Sequence, residues 1–529
     1  MIRTMRNCMQ ELTFSSSEAS AQPFLDAELT AVFVGPGGEE MAVPGFWAGG
    51  NVWKVRFAPP AEGVWRFRTV CSDESNGGLH DRVGEVEAVP YSGGNPLLER
   101  GRLRVSADRR HLEYGDGTPF FWLGDTWWMG LCQRLEWPQE FQELAADRAR
   151  KGFNVVQIVA GLYPDVPPTY DPRGANEAGF PLSPDHAVIN PAYFDMADLR
   201  IAHLVHCGLT PAVLFCWGYW LPVLGKEKMR RFMRYVVARW GAHPVVWSLA
   251  GEATMAYYLS ETKEEDAARQ REGWTRMARS LRETDGHRNM VTVHPTRVGR
   301  DQVSDESVLD FEWLQTGHNG LLSLADNVEY VRAAVAREPR MPTLVSEANY
   351  EGIRGLAWED VQRISFWSAV LNGSCGYTYG ANGIWQVNRP GQPFGPSPHG
   401  RGWGDMPWQE AARLPGSAQL GAAADFLRTL PWHKMTPHPE WAAGAYSKEG
   451  NVMGQHAAGT DDLRIIYAPN TRGVPKALAL PPGSRWNITY FNPVKGSAEE
   501  MGAAEADAEG ICPLPRTQDM HDFVYVLRR

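Results

Sequence analysis

The stretch VVWSLAGE at residues 245–252 is a short run of Val, Trp and Leu that ends abruptly in an ionisable residue, Glu252. The stretch PTLVSEANYEG at 342–352 repeats this pattern around Glu347. A buried parallel strand is an almost continuous apolar run, and a charge at its end lies at the mouth of a barrel. The two stretches therefore predict parallel barrel strands that each bring a carboxylate to the same face.

Six more runs of this kind lie between residues 106 and 432, and helical patterns separate them. The eight predicted strands are FFWLGDT at 120, NVVQIVA at 154, LTPAVLFCW at 209, VVWSLAGE at 245, NMVTVHP at 289, LDFEWLQTG at 309, PTLVSEAN at 342 and CGYTYGANGIW at 375. The crossover after the fifth strand is short, so we expect its helix to be reduced. The sequence contains neither a GxGxxG nor a P-loop pattern, and we expect no cofactor. The predicted fold is α/β, a (β/α)8 TIM barrel.

Both flanks of this region consist of short alternating runs separated by Gly and Pro, which is typical of small β-sandwiches. In VWKVRF at 52–57, Trp53 and Val55 alternate with Lys54 and Arg56, so the two basic residues are expected on the wet face of a sheet. The last sandwich could bind carbohydrate or support the barrel, and the sequence leaves both open. The predicted domains are an N-terminal β-sandwich at 1–105, the catalytic barrel at 106–432 and a C-terminal β-sandwich at 433–529.

The chain of 529 residues has a formal net charge of −10, which argues against nucleic acid or an anionic membrane as its main partner. No apolar run reaches the roughly 18 residues that indicate a transmembrane helix. Seven cysteines without CxxC spacing indicate neither a zinc ribbon nor a dense disulfide framework. The first residues lack the apolar run of a signal peptide, so a cytoplasmic location is expected. A homo-oligomer stays open.

Polar and aromatic residues follow the predicted strands where barrel loops open to solvent. Acids, amides and imidazoles bind sugar hydroxyls, aromatic rings stack on sugar faces, and two carboxylates can divide the steps of glycosidic bond cleavage. A carbohydrate substrate is therefore expected. The spacing fits no metal motif, so no metal is expected. The candidate catalytic residues are Glu252 and Glu347, and the candidate substrate-binding residues are Asp125, Trp127, Gln157, Trp217, His294, Gln315, His318, Tyr379 and Trp385.

Several longer motifs resemble the apiosidase-like glycoside hydrolases, and the resemblance covers nearly the whole chain. These motifs are GTPFFWLGDTWW at 117–128, RARKGFNVVQIV at 148–159, WLQTGH at 313–318, VSEANYEG at 345–352 and, before the barrel, PGFWAGGNVWKVRFAPPAEGVWRF at 44–67. The resemblance implies a (β/α)8 catalytic domain between two β-sandwiches, with Glu347 as nucleophile and Glu252 as general acid and base. Many relatives have aspartate after two glycines at strand four, whereas this chain has AGE at 250–252. The family's best known substrate is therefore not transferred to this chain.

The residues alone give the pair of acids but not their roles. A retaining enzyme places its two carboxyl groups about 5 to 5.5 Å apart and an inverting enzyme roughly 6.5 to 9.5 Å apart, and we expect the shorter distance. Glu252 should have a raised pKa, and His294, His318 or Tyr379 should keep Glu347 ionised.

Two long loops, at 164–191 and 388–415, are long enough to wall off a pocket, which favours exo action on a terminal sugar. Two other functions remain open on the same scaffold. One is a carbohydrate-binding barrel without catalysis. The other is an endo-glycanase or a lyase, for which Arg297 and Arg300 would neutralise a uronate.

Overall fold

The computed structural model describes residues 2–470 and 475–529. Its centre is a ring of eight parallel strands; seven lie within the predicted runs, and the first extends one residue past its run. Along the chain the barrel strands are Trp122–Trp127, Val155–Val159, Thr210–Leu214, Val246–Ser248, Val291–Thr292, Glu312–Gln315, Thr343–Glu347 and Gly376–Tyr379. Between the fifth and sixth strands the ring is joined by Asp310, whose backbone N–H donates to Val291 O at 2.8 Å and whose Oδ2 accepts from Val291 N at 2.7 Å. The predicted TIM barrel is confirmed.

Helices cover the outside of the barrel, and their bounds are Gln139–Arg150, Pro191–His206, Trp220–Trp240, Lys263–Thr284, Leu324–Ala336, Glu359–Leu371 and Pro415–Arg428. Between strands five and six the described chain forms only the 3-10 turns Gly299–Gln302 and Glu306–Val308, so the expected reduction of this helix is confirmed. The helix Pro415–Arg428 was not anticipated, because it follows a stretch rich in Gly and Pro. Its first residue is a proline, whose fixed φ suits the first helical position.

The N-terminal domain is all-β. Its strands are Ile2–Met5, Gln10–Ser15, Leu29–Val34, Glu40–Trp47, Val52–Phe57, Gly63–Cys71 and Val83–Val89. The strand Glu40–Trp47 pairs through its first half with Leu29–Val34 and through its second half with Val52–Phe57, so it passes from one layer to the other. The rings of Phe33 and Phe57 stack between the two layers, with their centroids 3.8 Å apart.

Arg56 does not lie on a wet face, and that expectation was wrong. Arg56 is only 7% exposed because its side chain packs against two barrel helices. Nη2 lies 2.6 Å from Asp198 Oδ2, and Nη1 donates to Arg239 O at 2.8 Å. The sheet face that carries Arg56 is covered by barrel helices. Alternation therefore gave the correct faces, but it could not show which face another domain covers.

The C-terminal domain is a six-stranded antiparallel sheet with a small two-stranded sheet beside it. In spatial order the larger sheet contains Thr436–Pro437, His456–Thr460, Leu463–Ala468, Phe523–Arg528, Arg485–Asn492 and Ser497–Glu505, and the smaller one Lys476–Ala477 and Cys512–Pro513. One face packs on the barrel helix Glu359–Leu371, where Arg363 forms a buried ion pair with Asp522 at 2.8 Å. The strand Ser497–Glu505 was missed because it is mostly exposed and rich in Ala and Glu.

The predicted domain boundaries stay a prediction. The first falls beside the strand Arg104–Val105, which joins Leu112–Glu113 and Pro119–Phe120 in a small sheet before the barrel, and the second falls at the 3-10 turn Trp432–Lys434. Within residues 2–470 and 475–529, no helix combines the length and apolarity needed to cross a bilayer. All seven cysteines are free thiols.

Candidate active site

A pocket of about 230 Å³ lies at the ends of the barrel strands that carry Glu252 and Glu347. Pockets for drug-sized ligands span roughly 300 to 1,000 Å³, so this one suits a smaller guest. Aromatic rings and carboxylates dominate its wall. The lining residues are Trp128, Pro164, Asp165, Trp217, Glu252, Met255, Tyr258, Gln315, His318, Glu347, Tyr350, Ile353, Trp385, His399 and Trp403.

Glu252 lies just beyond the fourth barrel strand, on backbone that is bonded to both neighbouring strands. Gly251 N donates to Cys216 O at 2.8 Å, and Ala253 N donates to His294 O at 3.2 Å. The φ of Glu252 is +41°, a left-handed conformation that is costly for a residue with a side chain. Such conformations persist where the surrounding structure imposes them, and here the backbone bonds on both sides fix the direction of the carboxylate.

Glu347 is the last residue of the seventh barrel strand and is 4% exposed. The register between strands six and seven shifts between Leu314 and Gln315, so that Gln315 lies opposite Glu347. Such irregularities redirect side chains near active sites. Here the Gln315 amide donates from Nε2 to Glu347 Oε1 at 2.9 Å and to Glu252 Oε1 at 3.1 Å. One amide group therefore ties the two carboxylates together.

Two histidines complete the surroundings of Glu347. His318 Nε2 lies 2.7 Å from Oε1, and its ring stacks on Tyr350 with centroids 4.8 Å apart. His294 is fully buried, with Nε2 3.1 Å from Oε2 and Nδ1 3.2 Å from Ser346 Oγ. The contact to Oε2 is a close approach and not an aligned hydrogen bond. Oε1 is thus held firmly, while Oε2 has no aligned partner.

The two glutamates have opposite electrostatic environments. Burial and the neighbouring Glu347 charge raise the pKa of Glu252, against a smaller opposing effect of the Gln315 hydrogen bond. Burial would also raise the pKa of Glu347, but the close approach of His294, the hydrogen bond with His318 and the charges of both outweigh it and hold that pKa well below its usual range. Separated pKa values of this kind are typical of an acid paired with an ionised carboxylate.

Six of the predicted site residues line the pocket together, and one more contacts Glu347 from behind. Those in the wall are Trp217, Glu252, Gln315, His318, Glu347 and Trp385, and the one behind is His294. Four residues expected at the site lie elsewhere, in the barrel interior or between strands and helices: Asp125, Trp127, Gln157 and Tyr379.

The errors at Asp125 and Trp127 arise because successive side chains of the first strand face opposite sides of the sheet. Asp125 and Trp127 point outward to the helix layer, where Asp125 Oδ2 accepts from Arg148 Nε at 2.6 Å and from Trp127 Nε1 at 2.8 Å. The next residue, Trp128, points the other way and lines the pocket. A change of one position reverses the face of a strand residue, so the choice of Trp127 over Trp128 was wrong.

Gln157 and Tyr379 also bond to groups inside the protein and do not reach the pocket wall. Gln157 Nε2 donates to Thr378 Oγ1 at 2.8 Å and to Ser346 O at 3.1 Å, below the pocket. The Tyr379 hydroxyl donates to Glu351 Oε2 at 2.5 Å, so of the three candidates for keeping Glu347 ionised, Tyr379 is the one that bonds elsewhere.

Sequence reasoning missed the pocket residues that come from loops. These are Pro164, Asp165, Met255, Tyr258, Ile353, His399 and Trp403. The lengths of the two long loops indicated a wall, but no local pattern indicates which loop side chains turn inward. His399 and Tyr258 stack across the wall with centroids 5.2 Å apart, and they come from loops 141 positions distant in sequence.

Several residues of the pocket wall have a buried polar atom without a protein partner. These atoms include Trp217 Nε1, Trp385 Nε1, Gln315 Oε1, His318 Nδ1 and Asp165 Oδ1. Buried polar groups are nearly always hydrogen-bonded, because leaving them unpaired is costly. This mixture of donors and acceptors among aromatic rings suits a guest with many hydroxyl groups.

Comparison with known proteins agrees with this geometry. The family described as "Apiosidase-like, catalytic domain" matches residues 106–434, which is more than half of the chain. The chain belongs to the apiosidase-like family. It is a glycoside hydrolase, and its substrate is a carbohydrate. A "Domain of unknown function (DUF5060)" matches residues 8–72, within the N-terminal β domain. No curated protein matches the chain.

Solved structures share the fold of this apiosidase-like enzyme at low sequence identity. A structure described as "Glycoside hydrolase" is 22% identical with a TM-score of 0.68, over 83% of this chain and 98% of the other. A glycoside hydrolase family 5 protein from Bacteroides vulgatus is 22% identical with a TM-score of 0.68, over 82% of this chain and 94% of its own. A candidate glycoside hydrolase from the same species is 17% identical with a TM-score of 0.72, over the full length of both.

Gly251 offers a test of how the apiosidase-like site is built. A Cβ at this position would lie 2.2 Å from the Trp217 ring, so Gly251→Ala must displace Trp217 or the backbone that fixes Glu252. We expect kcat/KM for an aryl glycoside to fall roughly tenfold to a hundredfold, because Glu252 is a candidate catalytic residue and small displacements of such groups are costly. Near-UV circular dichroism should change with it. The control Gly77→Ala meets open space and should change neither, whereas an unchanged Gly251→Ala enzyme would contradict this account.

Proposed function

We propose that the protein is a retaining, exo-acting glycoside hydrolase that removes a terminal sugar by double displacement. Glu347 is the nucleophile, and Glu252 is the general acid and base. The observation that carries this proposal is the sharing of Gln315 by the two carboxylates. Because both Oε1 atoms lie within 3.1 Å of one nitrogen, they can be no farther apart than twice that distance. This supports the roughly 5 to 5.5 Å spacing of retaining enzymes over the wider spacing of inverting ones.

The hydrogen bonds around Glu347 support its role as nucleophile. Gln315 and His318 hold Oε1, which leaves Oε2 to attack the anomeric carbon. Glu252 then protonates the departing glycosidic oxygen, and its raised pKa favours the protonated form that this step needs. In the second step the Glu252 carboxylate takes a proton from water, and the water oxygen displaces Glu347 from the sugar.

The upper wall of the pocket supports exo action. Trp403 Nε1 donates to Asp165 Oδ2 at 3.2 Å, and His399 stacks on Tyr258. These two contacts join the loops after strands two, four and eight over one side of the site. A wall joined in this way favours the binding of a single terminal unit over a chain of sugars that runs through the site.

The lyase alternative finds less support. Arg300 is buried and forms an ion pair with Glu312 at 2.5 Å, and Arg297 is exposed. Neither is among the described residues that line the pocket. A lyase would need a positive group beside the substrate carboxylate.

Hydrolysis of a panel of oligosaccharides labelled at the reducing end tests the proposal. We expect only monosaccharide release from the unlabelled end, and the first product detected by NMR should have the anomeric configuration of the bond cleaved. The Glu347→Ala variant is the blank. Internal fragments would contradict exo action, and a first product of opposite configuration would contradict the retaining mechanism.

A further inference from the structure

Asp165 is a third carboxylate in the pocket, beside the two glutamates, and it lies on the loop after the second barrel strand. It is 6% exposed and lines the cavity. Its Oδ2 accepts from Trp403 Nε1 at 3.2 Å, and its backbone N–H donates to the Tyr258 hydroxyl at 3.0 Å. Its φ is +55°, so the loop holds this residue in a strained conformation. The other oxygen, Oδ1, has no protein partner.

The hydrogen bonds of Asp165 differ from those of Asp125, a buried carboxylate outside the pocket. Asp125 is also buried, but both of its oxygens are used: Oδ1 accepts from Thr126 N at 2.8 Å, and Oδ2 accepts from Arg148 and Trp127. A carboxylate that only braces the structure is satisfied in this way, because an unpaired buried charge is expensive. Asp165 instead lines the cavity with one acceptor, Oδ1, left without a protein partner.

The charged residues of the pocket wall disfavour an anionic sugar. Three carboxylates line it, those of Asp165, Glu252 and Glu347, and among the described lining residues there is neither lysine nor arginine. Burial raises the pKa of Asp165 to about 6, so this group is ionised at neutral pH. An anionic sugar would enter a site with negative groups on two sides, and no lysine or arginine lines the described wall to pair with it.

We propose that Asp165 is the specificity-determining residue of this pocket, which accepts a hydroxyl hydrogen bond from an uncharged terminal sugar and excludes uronic acids and sulfated sugars. The proposal rests on the proposed function, because it names the substrate class of the same site. Trp403 orients the carboxylate through Oδ2, and Oδ1 meets the sugar. A site built to bind a hydroxyl also discriminates strongly against analogues that cannot donate to it.

The test uses 4-nitrophenyl glycoside pairs that differ in one carboxylate, glucoside with glucuronide and galactoside with galacturonide, in both anomers. The wild-type enzyme should favour the neutral member of each pair that it cleaves by roughly a hundredfold or more in kcat/KM. Asp165→Asn should raise KM for the neutral member about tenfold and reduce that preference by at least as much. The control Asp185→Asn, on the exposed part of the same loop, should leave both values unchanged.

Thermal melting supplies a readout that needs neither turnover nor a folded variant. Neutral monosaccharides should raise the Tm of the wild-type enzyme more than the matching uronic acids do. Faster cleavage of a uronide, stronger protection by a uronate, or an unchanged preference in a folded Asp165→Asn enzyme would overturn the proposal for Asp165. The Glu347→Gln variant distinguishes failure of the proposed function from failure of the proposal for Asp165. If the proposed function is wrong, this variant still cleaves the neutral glycosides.

Discussion

Replacement of Glu347 by glutamine should lower kcat for glycoside cleavage by roughly 10⁴-fold or more, while the protein stays folded. An amide of the same shape keeps the contact with Gln315 but cannot form the glycosyl ester of a double displacement. The measurement is steady-state release of 4-nitrophenol, with the unfolding transition recorded in parallel. The control Glu261→Gln changes an exposed glutamate on the loop after strand four and should retain full activity.

Azide separates the two catalytic roles more sharply than the loss of rate alone. In Glu347→Ala we expect azide to enter the space left by the shortened side chain. Azide then attacks the anomeric carbon directly as 4-nitrophenol leaves. The expected product is a glycosyl azide with the configuration opposite to that of the substrate. A product of the same configuration would mean that Glu347 is the acid and base and that the two roles are exchanged.

The barrel and the pair of acids could be predicted because both depend on local patterns. An apolar run that ends in a carboxylate is legible within eight residues, and Glu252 and Glu347 each follow such a run. Gln315 and His318 were found for the same reason, since they follow the sixth strand. The bridge that Gln315 forms between the two acids depends on a register shift between Leu314 and Gln315 that no sequence pattern indicated.

The errors at the site have two physical origins. One is the alternation of side chains along a strand, since adjacent residues face opposite sides. Without the exact strand register, the sequence does not show whether Trp127 or Trp128 faces the pocket. The other is loop geometry. Asp165 and Trp403 meet although 238 positions separate them, and their contact is set by the packing of two long loops. Neither loop has the periodicity that would reveal an inward side chain.

Replacement of Glu252 by glutamine should have an effect that depends on the leaving group. A poor leaving group needs a proton from Glu252, so kcat/KM for a methyl or oligosaccharide glycoside should fall roughly 10²- to 10⁴-fold. An activated 2,4-dinitrophenyl glycoside leaves without that proton, and its kcat/KM should change little. Its kcat should fall, because hydrolysis of the glycosyl enzyme still needs a base. Azide should restore kcat and give a product of retained configuration.

The pH profile of the same variant tests the assignment independently. In the wild-type enzyme Glu252 must be protonated, so kcat/KM is present below its pKa and is lost as the pH rises through it. Because that pKa is raised, the fall should lie above the usual range for a glutamate. The low pKa of Glu347 extends activity toward acid pH, since the nucleophile stays ionised there. In Glu252→Gln the alkaline fall should disappear for the activated substrate. If it persists, a group other than Glu252 donates the proton.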